Sequence, residues 1–104
     1  MNEEVQNIQM TLSQAESKVA VMQDVVELLK NPSFEKVITD NYLGDDTTRL
    51  MLQLKPGEEN KRLLSMLEAK SVFSRFIATA LSEGEISSQS IQEHKELLSE
   101  IDKD

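Results

Sequence analysis

His94 is the only histidine and there is no cysteine, so few residues in this chain have the chemistry of a base, a nucleophile or a soft metal ligand. Ile91 lies three residues before His94 and Leu98 four after, which is the spacing of one helix face. No second imidazole or thiol is available to complete a transition-metal site. The pattern describes a boundary histidine, with Glu93 and Glu96 on a solvated face. Asp40, Tyr42, Gly44, Asp45 and Asp46 have the composition of a calcium loop. They lack its alternating oxygen ligands, its central glycine and its closing glutamate, and helix capping accounts for the aspartates more simply. No serine sits in a nucleophile-elbow sequence, and there is no glycine-rich phosphate loop. None of the carboxylate pairs has the apolar flanks that raise a pKa. The expectation is a non-enzyme with no catalytic residues, no metal, no cofactor and no small-molecule substrate.

The basic residues Lys55, Lys61, Arg62, Lys70 and Arg75 gather in the middle third. Nineteen acids against eleven bases leave a net charge of −8, which repels a phosphate backbone, so these cations read as salt-bridge partners rather than a nucleic-acid surface. Lys70 lies on an apolar stripe between Met66 and Phe73, where a lysine snorkels to the core edge or pairs with an acid. Met10, Met22, Met51 and Met66 read as core filler, with Met10 off the main seam.

The elements that position these residues are helical. Val5, Ile8, Leu12, Ala15, Val19, Met22, Val26 and Leu29 recur at alternating spacings of three and four, a heptad seam on one long helix from about Glu3 to Lys30. Such a helix is about 40 Å long at roughly 1.5 Å per residue, and part of its seam is expected to face another chain. Asn31-Pro32 ends it, and Pro32 opens a short helix carrying Phe34, Val37, Ile38 and Tyr42. Gly44 is read as a stop and Asp45 or Asp46 as the next cap, for a third helix from about Thr47 to Leu54 with Leu50, Met51 and Leu54 inward. Pro56-Gly57 makes a turn. A second long helix, Glu58 to about Ser82, places Leu63, Met66, Phe73, Ile77 and Ala80 on one stripe, widened by Leu67, Phe76 and Leu81, with Gly84 as its terminator. Ile86 and Ile91 would staple a last helix capped by Ser87.

The front of the first helix has only its narrow seam, while Val21, Val25 and Leu28 widen it farther on. Residues 1–18 are therefore read as a helical arm continuous with a domain over 19–101, followed by a frayed tail, 102–104. The arm's seam, Val5, Ile8, Leu12 and Ala15, is the candidate interaction surface. It pairs either with its copy in a second subunit or with the sparse stripe of the last helix. The expected fold is all-α: two long helices and three shorter ones in a helical hairpin or bundle with an N-terminal coiled-coil-like arm. No run reaches the roughly 18 apolar residues of a membrane span, and the acidic start is unlike a signal peptide.

The stretch from Glu27 to Leu54 carries Asn31, Pro32, Phe34, Val37, Ile38, Tyr42, Leu43, Arg49 and Leu50. Their order resembles a pattern in short α-helical proteins of tailed bacteriophages that are encoded near virion morphogenesis genes. Asn41 stands where that pattern has a glycine; asparagine also reaches the left-handed conformation. The family brings no activity or site residues to carry over. What the resemblance implies is a virion-assembly or structural protein, located in the virion or the host cytoplasm, that forms a homo-oligomer or binds a capsid-associated protein. The alternative is an acidic phage inhibitor or adaptor that binds a basic host protein through its carboxylates. The two readings part on salt: light scattering should find an apolar-seam oligomer indifferent to ionic strength, whereas an acidic inhibitor loses its partner steeply as salt rises.

Overall fold

A computed structural model of the chain describes residues 2–103. The protein is all-α, with no strand among the described residues. In chain order the elements are α1 (Asn2–Lys30), α2 (Pro32–Phe34), a π-helix π1 (Glu35–Asp45), α3 (Asp46–Leu52) and α4 (Lys61–Lys103). The chain forms two compact units, Met1–Val26 with Thr79–Asp104, and Glu27–Ala78. Of the expected tail, Asp102 and Lys103 continue α4, and residue 104 lies outside the described residues.

Asn31 ends α1 by local chemistry alone. Its backbone is extended (φ −69°, ψ 122°), as the residue before a proline requires. Its side-chain Oδ1 accepts hydrogen bonds from the Ser33 and Phe34 amides at 2.9 and 3.1 Å. The second break is equally local. The Glu58 amide donates to the Lys55 carbonyl at 3.2 Å, and Gly57 has φ 79°, so Lys55-Pro56-Gly57-Glu58 is a turn with proline second and glycine in the left-handed position. Asn60 fastens it from the far side, accepting from the Lys55 amide and donating to the Lys55 and Glu58 carbonyls at 3.0–3.1 Å. The Asn60 carbonyl then accepts from the Leu64 amide at 2.8 Å, so α4 starts at Lys61 rather than Glu58.

In the unit formed by residues 2–26 and 79–103, two heptad series face inward. Val5, Ile8, Leu12, Ala15, Val19, Met22 and Val26 come from α1, and Ala80, Gly84, Ser87, Ile91, His94, Leu98 and Ile101 from α4; none is exposed. Met22 meets Gly84, and Ala15 shares a depression with Ser87 and Ser90, so the two stretches run antiparallel. Here the expected helix end at Gly84 is corrected: α4 passes through it, Ser87 is a buried mid-helix residue rather than a cap, and Ile86 is exposed rather than stapled. A Cβ built at Gly84 would stand 2.7 Å from Met22 Sδ and 2.8 Å from its Cγ. The glycine is therefore explained by helix-to-helix approach, which outweighs its cost of about 1 kcal/mol in a helix interior.

In the Glu27–Ala78 unit, Leu50 is the most deeply buried side chain, at 1% exposure. Phe34, Ile38, Tyr42, Leu43, Leu63, Leu67, Phe73 and Ile77 are half-buried. The stripes expected from spacing are narrower than drawn: Leu28, Val37, Met51, Met66 and Phe76 are exposed here, as is Val21 in the other unit. Gly44 does not stop its helix. Its φ is not positive, and the chain stays helical through it.

Helix propensity and packing make opposite predictions at Gly84. Gly84→Ala is expected to destabilise the protein by roughly 1–3 kcal/mol through overpacking against Met22, read as a lower midpoint in urea melts followed by circular dichroism. A rise in stability of about 1 kcal/mol, as propensity alone dictates, would show that the helices do not meet at this level.

Candidate functional site

The only charged side chain buried among the described residues is that of Lys70, on α4 within the Glu27–Ala78 unit. A buried ammonium survives only if paired and hydrogen-bonded, and Lys70 is both. Its Nζ lies 2.7 Å from Asp46 Oδ2, donates to the Tyr42 carbonyl, and stands 3.6 Å from the centroid of the Tyr42 ring, within range of a cation–π attraction. Phe73 packs edge-on against that ring at 6.1 Å between centroids. The pairing of Lys70 with an acid is one of the two outcomes that its place on the apolar stripe allowed.

Asp46 is the correction among the aspartates. It opens α3, but its carboxylate caps nothing, and Asp45 makes no side-chain cap either. Instead, Oδ1 receives Arg49 Nη2 at 2.5 Å and Nε at 3.1 Å, while Oδ2 takes Lys70. The hydrogen bond from Lys70, then that from Arg49, holds the Asp46 carboxyl below the ordinary carboxylate range. The Arg49 pair is solvent-facing and contributes little by itself.

Through these contacts the cluster joins Tyr42 and Asp46 to α4. With its side chain 5% exposed, Lys70 directs its ammonium at partners within its own unit. His94, in the other unit, donates from Nδ1 to the Ser90 carbonyl at 2.7 Å. It is half-buried on its own helix, as a boundary histidine. Among the described residues no group of three His, Asp or Glu side chains is placed to hold a metal, and no helix is long and apolar enough to cross a membrane.

Of the seam residues, Ile8 and Ala15 are buried and Val5 and Leu12 half-buried, in the unit that α1 forms with residues 79–103. Ala15 of the seam shares a depression with Ser87 and Ser90 of α4 within that unit. What remains uncovered is a different set. In the Glu27–Ala78 unit, Leu52 is 81% exposed, Val72 and Phe76 65% each, and Val72 and Phe76 are one helical turn apart on α4. Sequence reasoning placed Phe76 in the core and gave Leu52 and Val72 no role. The only sequence signal was a surplus of apolar positions beyond what one stripe can bury.

Removing either member of the Lys70–Asp46 pair should not cost the same. Lys70→Met fills the space and leaves Asp46 with Arg49 and water. Asp46→Asn leaves a buried ammonium without its countercharge, the costlier defect. Lys70→Ala, which also opens a cavity, is expected to cost about 3 kcal/mol. Because the Asp46 pKa is lowered on folding, its contribution is present above the unfolded value of about 3.9 and is lost as pH falls through the folded value. The stability gap between wild type and Asp46→Asn, measured by urea melts from pH 7 to pH 2, should therefore be widest above about pH 4 and close below it. A gap independent of pH would show that the carboxylate's charge does not hold Lys70.

No family model, no curated protein and no solved structure matches this chain.

Proposed function

We propose that this protein is a non-enzymatic helical assembly protein that works by burying exposed apolar side chains against protein, first of all a second copy of itself. The observation that carries this reading is the imbalance of apolar burial. Only Ile8, Ala15, Val25 and Leu50 are buried among the described apolar residues, whereas Leu52, Val72, Phe76, Ile86 and eight other large apolar side chains are exposed. Single exposed apolar residues are ordinary. A surplus of this size in a chain with so small a core is what an association surface supplies.

Val72 and Phe76 are the residues assigned to the contact, because they adjoin on one rigid helix and leave the buried stripe undisturbed. The heptad seam, Val5, Ile8, Leu12 and Ala15, lies on the inward face of α1 in the other unit. The resemblance of residues 27–54 to short tailed-phage proteins makes virion assembly the setting we propose.

Each large side chain contributes roughly 1.5–3 kcal/mol when fully buried, before the cost of association. The absolute mass of the purified protein, followed by light scattering across a concentration series at low and high salt, should reveal an oligomer that persists in salt. The variant Val72→Glu with Phe76→Glu should dissociate at least about tenfold more readily with unchanged helical circular dichroism. A monomer at every concentration overturns self-assembly, and an oligomer that salt dissolves points to the carboxylate faces instead.

A further inference from the structure

The longest irregular helix among the described residues is π1. Eleven residues, Glu35–Asp45, wind with hydrogen bonds from residue i+5 to residue i, and such stretches are rare beyond a single turn. Nothing in the local sequence demands it: Gly44 has ordinary helical φ, and no proline falls within the segment. The telling contacts lie at its C-terminal end. In an α-helix the Asp46 amide would donate to the Tyr42 carbonyl, four residues back. Here it donates to Asn41, five back. The Tyr42 carbonyl has two acceptor positions, and two side chains take them, Lys70 Nζ from α4 and Thr47 Oγ1 at 3.3 Å. The same ammonium holds Asp46 through its carboxylate at 2.7 Å. Lys70 thus occupies the acceptor that the α register needs and fixes the residue whose amide would use it.

We infer that Glu35–Asp45 is a two-register element and that Lys70 is its latch. With Lys70 engaged, the segment stays in the π register. With Lys70 withdrawn, the Tyr42 carbonyl is free to accept the Asp46 amide and the segment relaxes to the α register. A π turn holds more residues than an α turn, so relaxation rotates the helical segment directly after it about the helix axis. The next element is α3, which presents Leu50 inward at 1% exposure and Leu52 outward at 81%. Turning α3 changes which of these apolar side chains faces out. The latch is therefore a conformational device that sets the apolar surface of α3, with discrete states of the kind that packed helices support. This inference stands independently of any association through Val72 and Phe76.

The test uses the full chain, isotopically labelled, and reads by NMR the scalar coupling across the hydrogen bond of the Asp46 amide. In the wild type the coupling should reach the Asn41 carbonyl carbon. In Lys70→Met, which keeps the side-chain volume and removes the donors, the Asn41 coupling should be lost and one to Tyr42 gained, with helical circular dichroism retained. A folded Lys70→Met that keeps the Asn41 coupling overturns the latch. Should Lys70→Met fail to fold, Asp46→Asn, which loosens the ammonium while leaving it the Tyr42 carbonyl, is read in the same way. Two sets of couplings, to Asn41 and to Tyr42, support a two-register segment. Asn41 alone, or loss of the fold in this variant too, overturns it, because the pair would then be holding the fold rather than selecting a register.

Discussion

A single ammonium organises the polar half of this protein. Lys70 carries its charge into the interior of the Glu27–Ala78 unit, where only close partners offset the loss of water, and each partner it recruits constrains a different element. Asp46 fixes the start of α3. The Tyr42 carbonyl draws the backbone of π1 toward α4, and the Tyr42 ring, braced by Phe73, covers the charge. Leu50 follows four residues after Asp46 and is the best-buried side chain among the described residues. An apolar anchor thus sits one turn from an ionic one on the same short helix, and neither could be moved without the other.

The other unit depends on proximity rather than charge. Its inward series from α4 includes Gly84, Ser87 and His94, which offer little apolar area. A helix pair with so modest a seam gains most when the backbones come close, because dispersion falls away steeply with any gap. Gly84 opposite Met22 and Ser87 near Ala15 permit that approach. Glycine here exchanges a small loss in helix propensity for contact along the pair. The narrowness of both seams leaves many large apolar side chains outside, and the proposed assembly role rests on that surplus.

Much of the fold was legible in the chain. The all-α class, the long first helix ending at Asn31-Pro32, the Pro56-Gly57 turn and the boundary position of His94 all follow from residue chemistry within a few positions. The candidate site was legible only in part. Lys70 stood out as a lysine on an apolar stripe, but its acid was misread as a cap, because Asp45 and Asp46 occupy a place where caps are common. The seam of α4 was hidden because Gly84 and Ser87 look like a stop and a start to any local reading, although their spacing continues the heptad.

By itself, then, the sequence determined where helices must break, since a proline without an amide hydrogen and a glycine at φ 79° act on the backbone with no help from elsewhere. It also determined which faces could be buried, through the spacing of three and four. Tertiary structure alone decided that α4 would run on through Gly84 and that Asp46 would meet Lys70, 24 residues away. In each case a local preference of about 1 kcal/mol was opposed by contacts with a distant segment. Packing and ion pairing of this kind outweigh propensity, and no window of neighbouring residues encodes them.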